Sequence, residues 1–146
     1  MRLDSKMDHG PVVAQEISEI TLPVRRDILE EKLATQGALL LAEILPDWIN
    51  ESIIEQEQEH IKATFTEKIK KEDGLLDLSK PKEAYRKFCA FTGWPGSFFF
   101  MERNGKNIRI IVTDATLSET GDFIITEVKP EGKKEMSYED FLKGNR

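Results

Sequence analysis

Residues 97–113, which read SFFFMERNGKNIRIIVT, place two apolar segments on either side of Asn104-Gly105. Asn-Gly between apolar segments is typical of a type I′ turn, because both central residues of that turn need a positive φ. The segment 97–102 is rich in phenylalanine and 106–113 in isoleucine and valine, and these residue types favour β-strands. The stretch therefore predicts a β-hairpin. Because side chains alternate between the two faces of a strand, one or two of the phenylalanine rings lie in the core and at most one is free.

Caps and turns on both sides of the hairpin indicate further elements. In chain order the pattern predicts a short strand at 75–78, a helix capped by Ser79, a strand at 123–128 and a last helix at 138–143. Ser79 is a favourable N-cap, and Pro81 has no N–H to lose in the first turn. The order of helix, antiparallel strands and helix predicts a small barrel or half-barrel.

The first 60 residues have a different pattern. Asp8-His9-Gly10-Pro11 is a tight polar turn that runs into an apolar segment, and it predicts a strand over 12–20. Apolar residues at three- and four-residue spacing predict a helix over 28–45 that ends at Pro46. The acidic segment 50–60 predicts an extended connection. One strand and one helix are too few for an α/β domain to close on itself.

Composition and charge limit the classes of function. No apolar run approaches the roughly 20 residues that span a membrane, and the first residues lack the apolar centre of a signal peptide. The single cysteine, Cys89, is expected to be a small core residue and fits a reducing cytoplasm. The net charge of −6 is uneven: residues 1–60 hold 5 Lys/Arg and 13 Asp/Glu, whereas 61–146 hold 16 and 14. A polyanionic partner therefore remains possible for the second part.

Three ordered segments point to a known family. They read EKIKKEDGLLDLSKP at 67–81, WPGSF at 94–98 and PEGKKEMSYEDFLKGNR at 130–146. In this order and spacing they resemble the linker and C-terminal domain of methionyl-tRNA formyltransferases. The turn at 8–11 resembles the family's D-x-G-[PD] loop, and the helix at 28–45 resembles the closing helix of its folate-binding domain.

The resemblance implies an α+β chain. It implies a remnant strand and helix of an α/β formyltransferase domain over 1–49, a linker over 50–78, and a C-terminal tRNA-binding domain over 79–146. That last domain is expected to be a small antiparallel β-barrel, similar to the oligonucleotide-binding fold, with flanking helices. The sequence departs from the family at Leu78, where a tryptophan is common, and in the short segment 106–128, which implies a reduced barrel.

By the same resemblance, the complete enzyme moves a formyl group from 10-formyltetrahydrofolate to the amine of methionyl-initiator tRNA in translation initiation. Attack of an amine on a formamide carbonyl needs a proton acceptor and donors that stabilise an oxyanion. Asp8 resembles the catalytic aspartate, while the family's asparagine and histidine are expected upstream of residue 1. This chain alone is therefore expected to be inactive and mainly to supply tRNA binding. Neither a metal nor a membrane partner is expected, and the complete enzyme is expected to be monomeric.

Basic side chains in the second part are the candidates for contact with tRNA phosphates. They are Lys68, Lys70, Lys71, Arg86, Lys87, Lys106, Arg109, Lys133 and Lys134. Trp94 is expected in the core rather than as a platform for bases, so contacts to phosphates are expected to dominate. Two alternatives stay open: a stand-alone RNA-binding module, in which Asp8 has no task, and a formyltransferase that acts on amino-sugar nucleotides.

Overall fold

The computed structural model describes residues 1–103 and 105–144. By its contacts the chain divides into two compact units. The first unit contains residues 1–20 and 30–67, and the second contains residues 21–29 and 68–146. Within the part of the chain that the structure describes, no helix is long and apolar enough to cross a membrane.

The longest element is helix α1, Arg26–Ile49, and none of its residues is buried. The predicted end at Pro46 is wrong, because the helix continues through this proline to Ile49. A proline removes the hydrogen bond of its own N–H, but its carbonyl can still accept, and here it does so from Asn50 N at 3.0 Å. One missing bond in the last turn is therefore tolerated.

The strand predicted over 12–20 is also wrong. Only Val12 pairs, in an isolated antiparallel bridge whose two hydrogen bonds join its N and O to Gln56 at 2.8 and 2.9 Å. An apolar run becomes a strand only where a neighbouring strand satisfies its backbone groups, and among the described residues none lies beside 13–20. The acidic segment forms no helix or strand before a 3-10 turn at His60–Lys62.

The second unit contains helix α2 and the predicted hairpin. Helix α2, Pro81–Ala90, begins one residue after Lys80, its N-cap. The predicted cap, Ser79, is therefore wrong, and its hydroxyl instead donates to Asp77 Oδ1 at 2.6 Å. The hairpin is confirmed as strands β1, Ser97–Arg103, and β2, Lys106–Leu117. Gly105 has a φ of 70°, as the turn prediction requires, and Asn104 lies outside the described residues.

Strands β3, Phe123–Pro130, and β4, Met136–Ser137, complete a four-stranded antiparallel sheet in the order β1-β2-β3-β4. Helix α3, Tyr138–Lys143, follows at once, and Ser137 Oγ caps it by accepting from Asp140 N at 3.0 Å. The α+β class, the third strand and the last helix are thus confirmed, while β4 was not predicted. The predicted strand at 75–78 is wrong, because only Leu75 bridges, in parallel, to Phe98.

The hydrophobic core lies between one face of this sheet and the two helices of the second unit. Ile110 and Val128 are completely buried, and Phe88 from α2 and Phe141 from α3 pack in the same cluster. Cys89 is also buried there, which confirms its predicted place, and burial raises the pKa of its thiol. The sheet and its two helices therefore enclose the core of the second unit.

We expect Ile110→Ala to lower the free energy of unfolding of the second unit by about 2–5 kcal/mol, because it leaves a cavity in a packed core. Ile124→Ala is the matched control, since Ile124 is 47% exposed in the neighbouring strand β3 whereas Ile110 is 0% exposed. Urea-unfolding midpoints measured by circular dichroism compare the two variants. Equal losses for both would contradict this location of the core.

Candidate functional site

The turn that carries Asp8 is held by one backbone hydrogen bond and by the side chain of Gln58, all within the first unit. Arg2 N donates to Pro11 O at 2.9 Å, and Gln58 Nε2 donates to the carbonyls of Asp8 and Gly10 at 3.0 and 2.6 Å. Asp8 has a φ of 52°, in the left-handed region that few non-glycine residues adopt. Its side chain is exposed, and the part of the chain that the structure describes offers the carboxylate no hydrogen bond or ion pair.

The neighbouring histidine does not serve Asp8. His9 Nδ1 lies 2.6 Å from Asp4 Oδ2, and its ring stacks on that of His60 with centroids 3.7 Å apart. A backbone hydrogen bond from Lys6, and then the one from His9, lower the pKa of Asp4. Within the described residues, neither His9 nor His60 therefore forms a hydrogen bond or ion pair with Asp8. The catalytic role of Asp8 stays a prediction from the resemblance.

The basic candidates all belong to the second unit, and a short turn at Lys71–Gly74 brings some of them to the sheet. Asp73 Oδ2 accepts from Lys70 N at 2.7 Å and fixes the start of this 3-10 turn. Leu76 N then donates to Phe98 O at 2.8 Å, which attaches the following residues to strand β1. Lys70 and Lys71 are thereby held near the sheet while their side chains stay exposed.

Gly74 is buried and permits the close approach of this turn. A Cβ on Gly74 would lie 2.1 Å from the carbonyl oxygen of Gly96, just before β1. Lys87 Nζ, from α2, donates to Leu75 O at 2.8 Å and holds the turn from the other side. Lys87 thus has a structural contact in addition to the phosphate contact predicted for it.

Arg109 lies on the face of the sheet opposite the hydrophobic core. Its Cζ is 3.8 Å from the centroid of the Phe98 ring, which is within the range of a cation–π contact. Phe98 in turn meets Phe100 edge to face, with centroids 5.7 Å apart. These three side chains line a cleft of about 300 Å³, and Lys71, Glu72 and Leu75 also line it. The structure therefore brings together two predicted cations, Lys71 and Arg109.

The remaining candidates are spread over the second unit. Arg86 lines a separate cleft beside Leu29 and Cys89. Lys106 begins β2, and Lys133 and Lys134 follow β3, where Lys133 N donates to Pro130 O at 3.0 Å in a turn. Lys68 is exposed ahead of the turn. They form several local patches rather than one continuous basic surface.

Two aromatic side chains and one lysine change the interpretation of this surface. Trp94, expected in the core, is instead as exposed as Phe100, at 49% each. The expectation for Trp94 is therefore wrong, whereas one exposed ring in the phenylalanine run, Phe100, agrees with the prediction that at most one is free. Lys129, which was not among the candidates, is exposed opposite Ile111 in the β2–β3 pairing. Side chains alternate between the two faces of a strand, so Lys129 could have been predicted on this face if the register of β3 against β2 had been known.

Other kinds of site find little support. Across residues 1–103 and 105–144, no group of three or more His, Cys, Asp or Glu side chains could hold a metal ion. Cys89 is buried, with a raised pKa, so it is a thiol rather than a nucleophilic thiolate at neutral pH. What remains is an exposed turn with a carboxylate and a set of cations beside exposed aromatic rings.

Comparison with protein-family models identifies the class of domain. Residues 68–122 match the model described as "Formyl transferase, C-terminal domain". The match begins at the basic turn and covers α2, β1 and β2.

The curated relatives then give a more particular likeness. Over 112 residues the chain is 37% identical to a methionyl-tRNA formyltransferase of Chloroflexus aurantiacus, covering 76% of the chain and 36% of that protein. It is 32% identical to the enzyme of that name from Bacillus licheniformis and 29% to that from Bacillus subtilis, covering 99% of the chain and 52% of each protein. The chain thus spans about half or less of the length of the relatives it matches. The resemblance drawn from the ordered motifs is confirmed.

We expect Gly74→Ala to destabilise the second unit by about 1–3 kcal/mol, because the new methyl group would overlap the Gly96 carbonyl. Gly37→Ala is the control: a Cβ there meets nothing within 4 Å, and alanine should stabilise helix α1 by about 0.5–1 kcal/mol. Urea titration of both variants tests this. An unchanged midpoint for Gly74→Ala would show that the turn does not approach the sheet so closely.

Proposed function

We propose that this chain is the C-terminal half of a methionyl-tRNA formyltransferase and that its main contribution is to bind methionyl-initiator tRNA. The domain match over 68–122 and relatives that cover 99% of the chain support this assignment. The observation that carries it in the structure is the pair of cations, Lys71 and Arg109, held in one cleft on the face of the sheet. Lysine and arginine supply most of the sequence-independent affinity for phosphates.

The complete enzyme, on this proposal, moves a formyl group from 10-formyltetrahydrofolate to the amine of the methionyl group. The amine attacks the formyl carbon and a C–N bond forms as the amine loses a proton; the bond to the folate nitrogen then breaks as that nitrogen receives a proton. Asp8, in its exposed turn, is the proposed catalytic carboxylate. Its free oxygens are available to hold or accept a proton once other groups of the complete enzyme surround them.

The domain organisation forms part of the same proposal. Residues 1–49 correspond to the end of the formyltransferase domain, 50–78 to the linker and 79–146 to the tRNA-binding domain. The four-stranded sheet is then a reduced form of the oligonucleotide-binding-like barrel. In support, the alignment with the Bacillus licheniformis protein extends over 167 positions, although this chain has 146 residues, so the relative has residues that this chain lacks. A monomer in the cytoplasm fits this assignment.

The alternatives from the sequence have weaker support. The relatives named above are each called methionyl-tRNA formyltransferase, which favours the tRNA enzyme over a formyltransferase for amino-sugar nucleotides. A stand-alone RNA-binding module shares the proposed tRNA surface but gives no role to the first unit, which the relatives also cover. The tRNA enzyme therefore explains more of the chain.

We expect the chain to bind initiator tRNA with a log–log salt slope near −3 to −4, which corresponds to about four neutralised phosphates. Lys70→Ala combined with Lys71→Ala should lower affinity for all tRNAs alike and flatten the slope by about 1–2. Fluorescence anisotropy of labelled tRNA across a salt series measures both quantities.

Lys6→Ala combined with Lys62→Ala is the matched control for that titration, because it removes the same charge from the first unit. It should change the slope by well under 1. Absence of tRNA binding at low ionic strength, or equal effects of the two double variants, would remove the tRNA role from this surface.

We expect this chain alone to transfer formyl to methionyl-tRNA at no more than the background rate, since the described residues give Asp8 no partner histidine. The assay uses 10-formyltetrahydrofolate and acid–urea gels, with the full-length relative from Bacillus subtilis as positive control. Turnover that is lost on Asp8→Asn would show instead that the chain holds a complete catalytic centre.

A further inference from the structure

The outer face of the β1–β2 hairpin carries aromatic side chains that do not belong to the hydrophobic core. Phe99 and Ile110 point inward into that core, so their strand neighbours Phe98, Phe100 and Arg109 point to the opposite face. Phe100 and Arg109 are paired across the two strands. Phe98 is covered by its neighbours, whereas Phe100 is 49% exposed. An exposed ring on the edge strand β1 therefore lies beside a cation on β2.

The outer face carries two carboxylates, Glu72 and Glu102, but neither forms a described ion pair with its cations. Arg109 makes no ion pair within residues 1–103 and 105–144, and its Nε is buried without a hydrogen-bond partner. Contact with the Phe98 ring holds the guanidinium over that ring. Lys71 is exposed at the rim of the same cleft, and Lys129 is exposed on the same face beyond Ile111. An anionic group at this face would meet fixed positive charge on two sides of the exposed ring.

An aromatic ring flanked by cations matches the chemistry of a nucleotide that has left its helix. Its base offers a flat π surface to a ring, and the adjoining phosphate offers a negative charge to lysine or arginine. The cleft of about 300 Å³ is at the small end of ligand sites, which suits one base rather than a larger ligand. The base pairs of a duplex keep their π surfaces stacked, so they cannot use such a ring.

We propose that the outer face of the β1–β2 hairpin holds one unstacked nucleobase of a single-stranded RNA segment on the Phe100 ring. Arg109 and Lys71 bind the phosphate next to that base, and Lys129 binds a phosphate further along the strand. The inference deepens the proposed tRNA binding and rests on it. It adds a non-electrostatic contact at a position that phosphate binding alone leaves unused.

Glu72 makes the two sides of the site electrostatically different and so orients the nucleotide. Its carboxylate lines the same cleft, where it repels a phosphate and accepts a hydrogen bond from an N–H group on a base edge. The phosphate therefore lies on the Arg109 side, and the base edge faces Glu72. All of these side chains are attached to the sheet or to the turn that Asp73 fixes, so the site is largely formed before RNA binds.

The test compares the intact chain with Phe100→Leu, which keeps an apolar side chain but removes the aromatic surface. The probes are a single-stranded oligoribonucleotide carrying 2-aminopurine, an RNA duplex of equal length, and initiator tRNA. We expect Phe100→Leu to weaken single-strand binding by roughly 5- to 100-fold and to abolish the quenching of 2-aminopurine. Its salt slope should equal that of the unchanged chain, since no charge is removed, and duplex binding should not change.

Further variants distinguish the loss of base stacking from effects on folding and from effects of charge. Phe65→Leu is the matched control, because Phe65 is 93% exposed in the first unit and should have no effect. Phe100→Trp should retain single-strand affinity, which a merely structural role would not predict. Lys71→Ala should weaken binding and also flatten the single-strand slope by about 0.7.

Each contrary outcome is distinct. Unchanged tRNA and single-strand binding by Phe100→Leu would overturn the stacking site while leaving the proposed tRNA binding intact. Equal loss for single strands and duplex would show a structural effect and overturn it as well. Failure of the unchanged chain to bind any RNA at low salt would overturn both proposals. A change only in self-association, measured by light scattering, would assign the face to contacts between copies of this chain.

Discussion

The register of the β1–β2 hairpin determines which side chains of this protein are available to a partner. Ile110 must lie in the core opposite Phe99, and the strict alternation of a strand then sends Phe100 and Arg109 to the other face. A shift of one residue would bury Arg109 and expose Ile110, at a large cost in free energy. The burial that stabilises the sheet therefore also fixes the position of the candidate RNA surface.

A second constraint attaches the basic turn to that sheet. The hydrogen bond from Leu76 N to Phe98 O and the close approach of Gly74 to Gly96 leave little freedom for the residues between 70 and 76. Lysine side chains on a free linker would lose conformational entropy on meeting a phosphate. Here the backbone entropy is lost on folding, so only the side chains remain to be ordered. The docked turn thus explains how a modest number of charges could give useful affinity.

Short sequence motifs predicted correctly those elements that are stabilised by residues close to them in the sequence. Asn-Gly between β-forming segments predicted the hairpin, and the last helix was predicted at 138–143, where Ser137 caps it in the structure. The predictions that failed depend on partners distant in sequence: 12–20 has no adjacent strand among the described residues, and Leu75 forms only a bridge. For the same reason Lys129 could not be selected, because its face depends on the bulged pairing of β2 with β3. Lys71 and Arg109 were each predicted from the sequence, but the strand register and the attached turn together bring them into one cleft with Phe100.

The acidic composition of the whole chain does not argue against an RNA partner. Thirteen of the 27 acidic side chains lie within residues 1–60, whereas the candidate cations belong to the second unit. At physiological ionic strength, charges separated by more than roughly 8 Å of solvent are largely screened. A phosphate at Arg109 therefore responds mainly to the charges of its own face, which are Lys71, Lys129, Glu72 and Glu102, rather than to the net charge of −6. The weak overall field slows long-range capture, so discrimination must come from contacts made after encounter, and a stacked base is a contact of that kind.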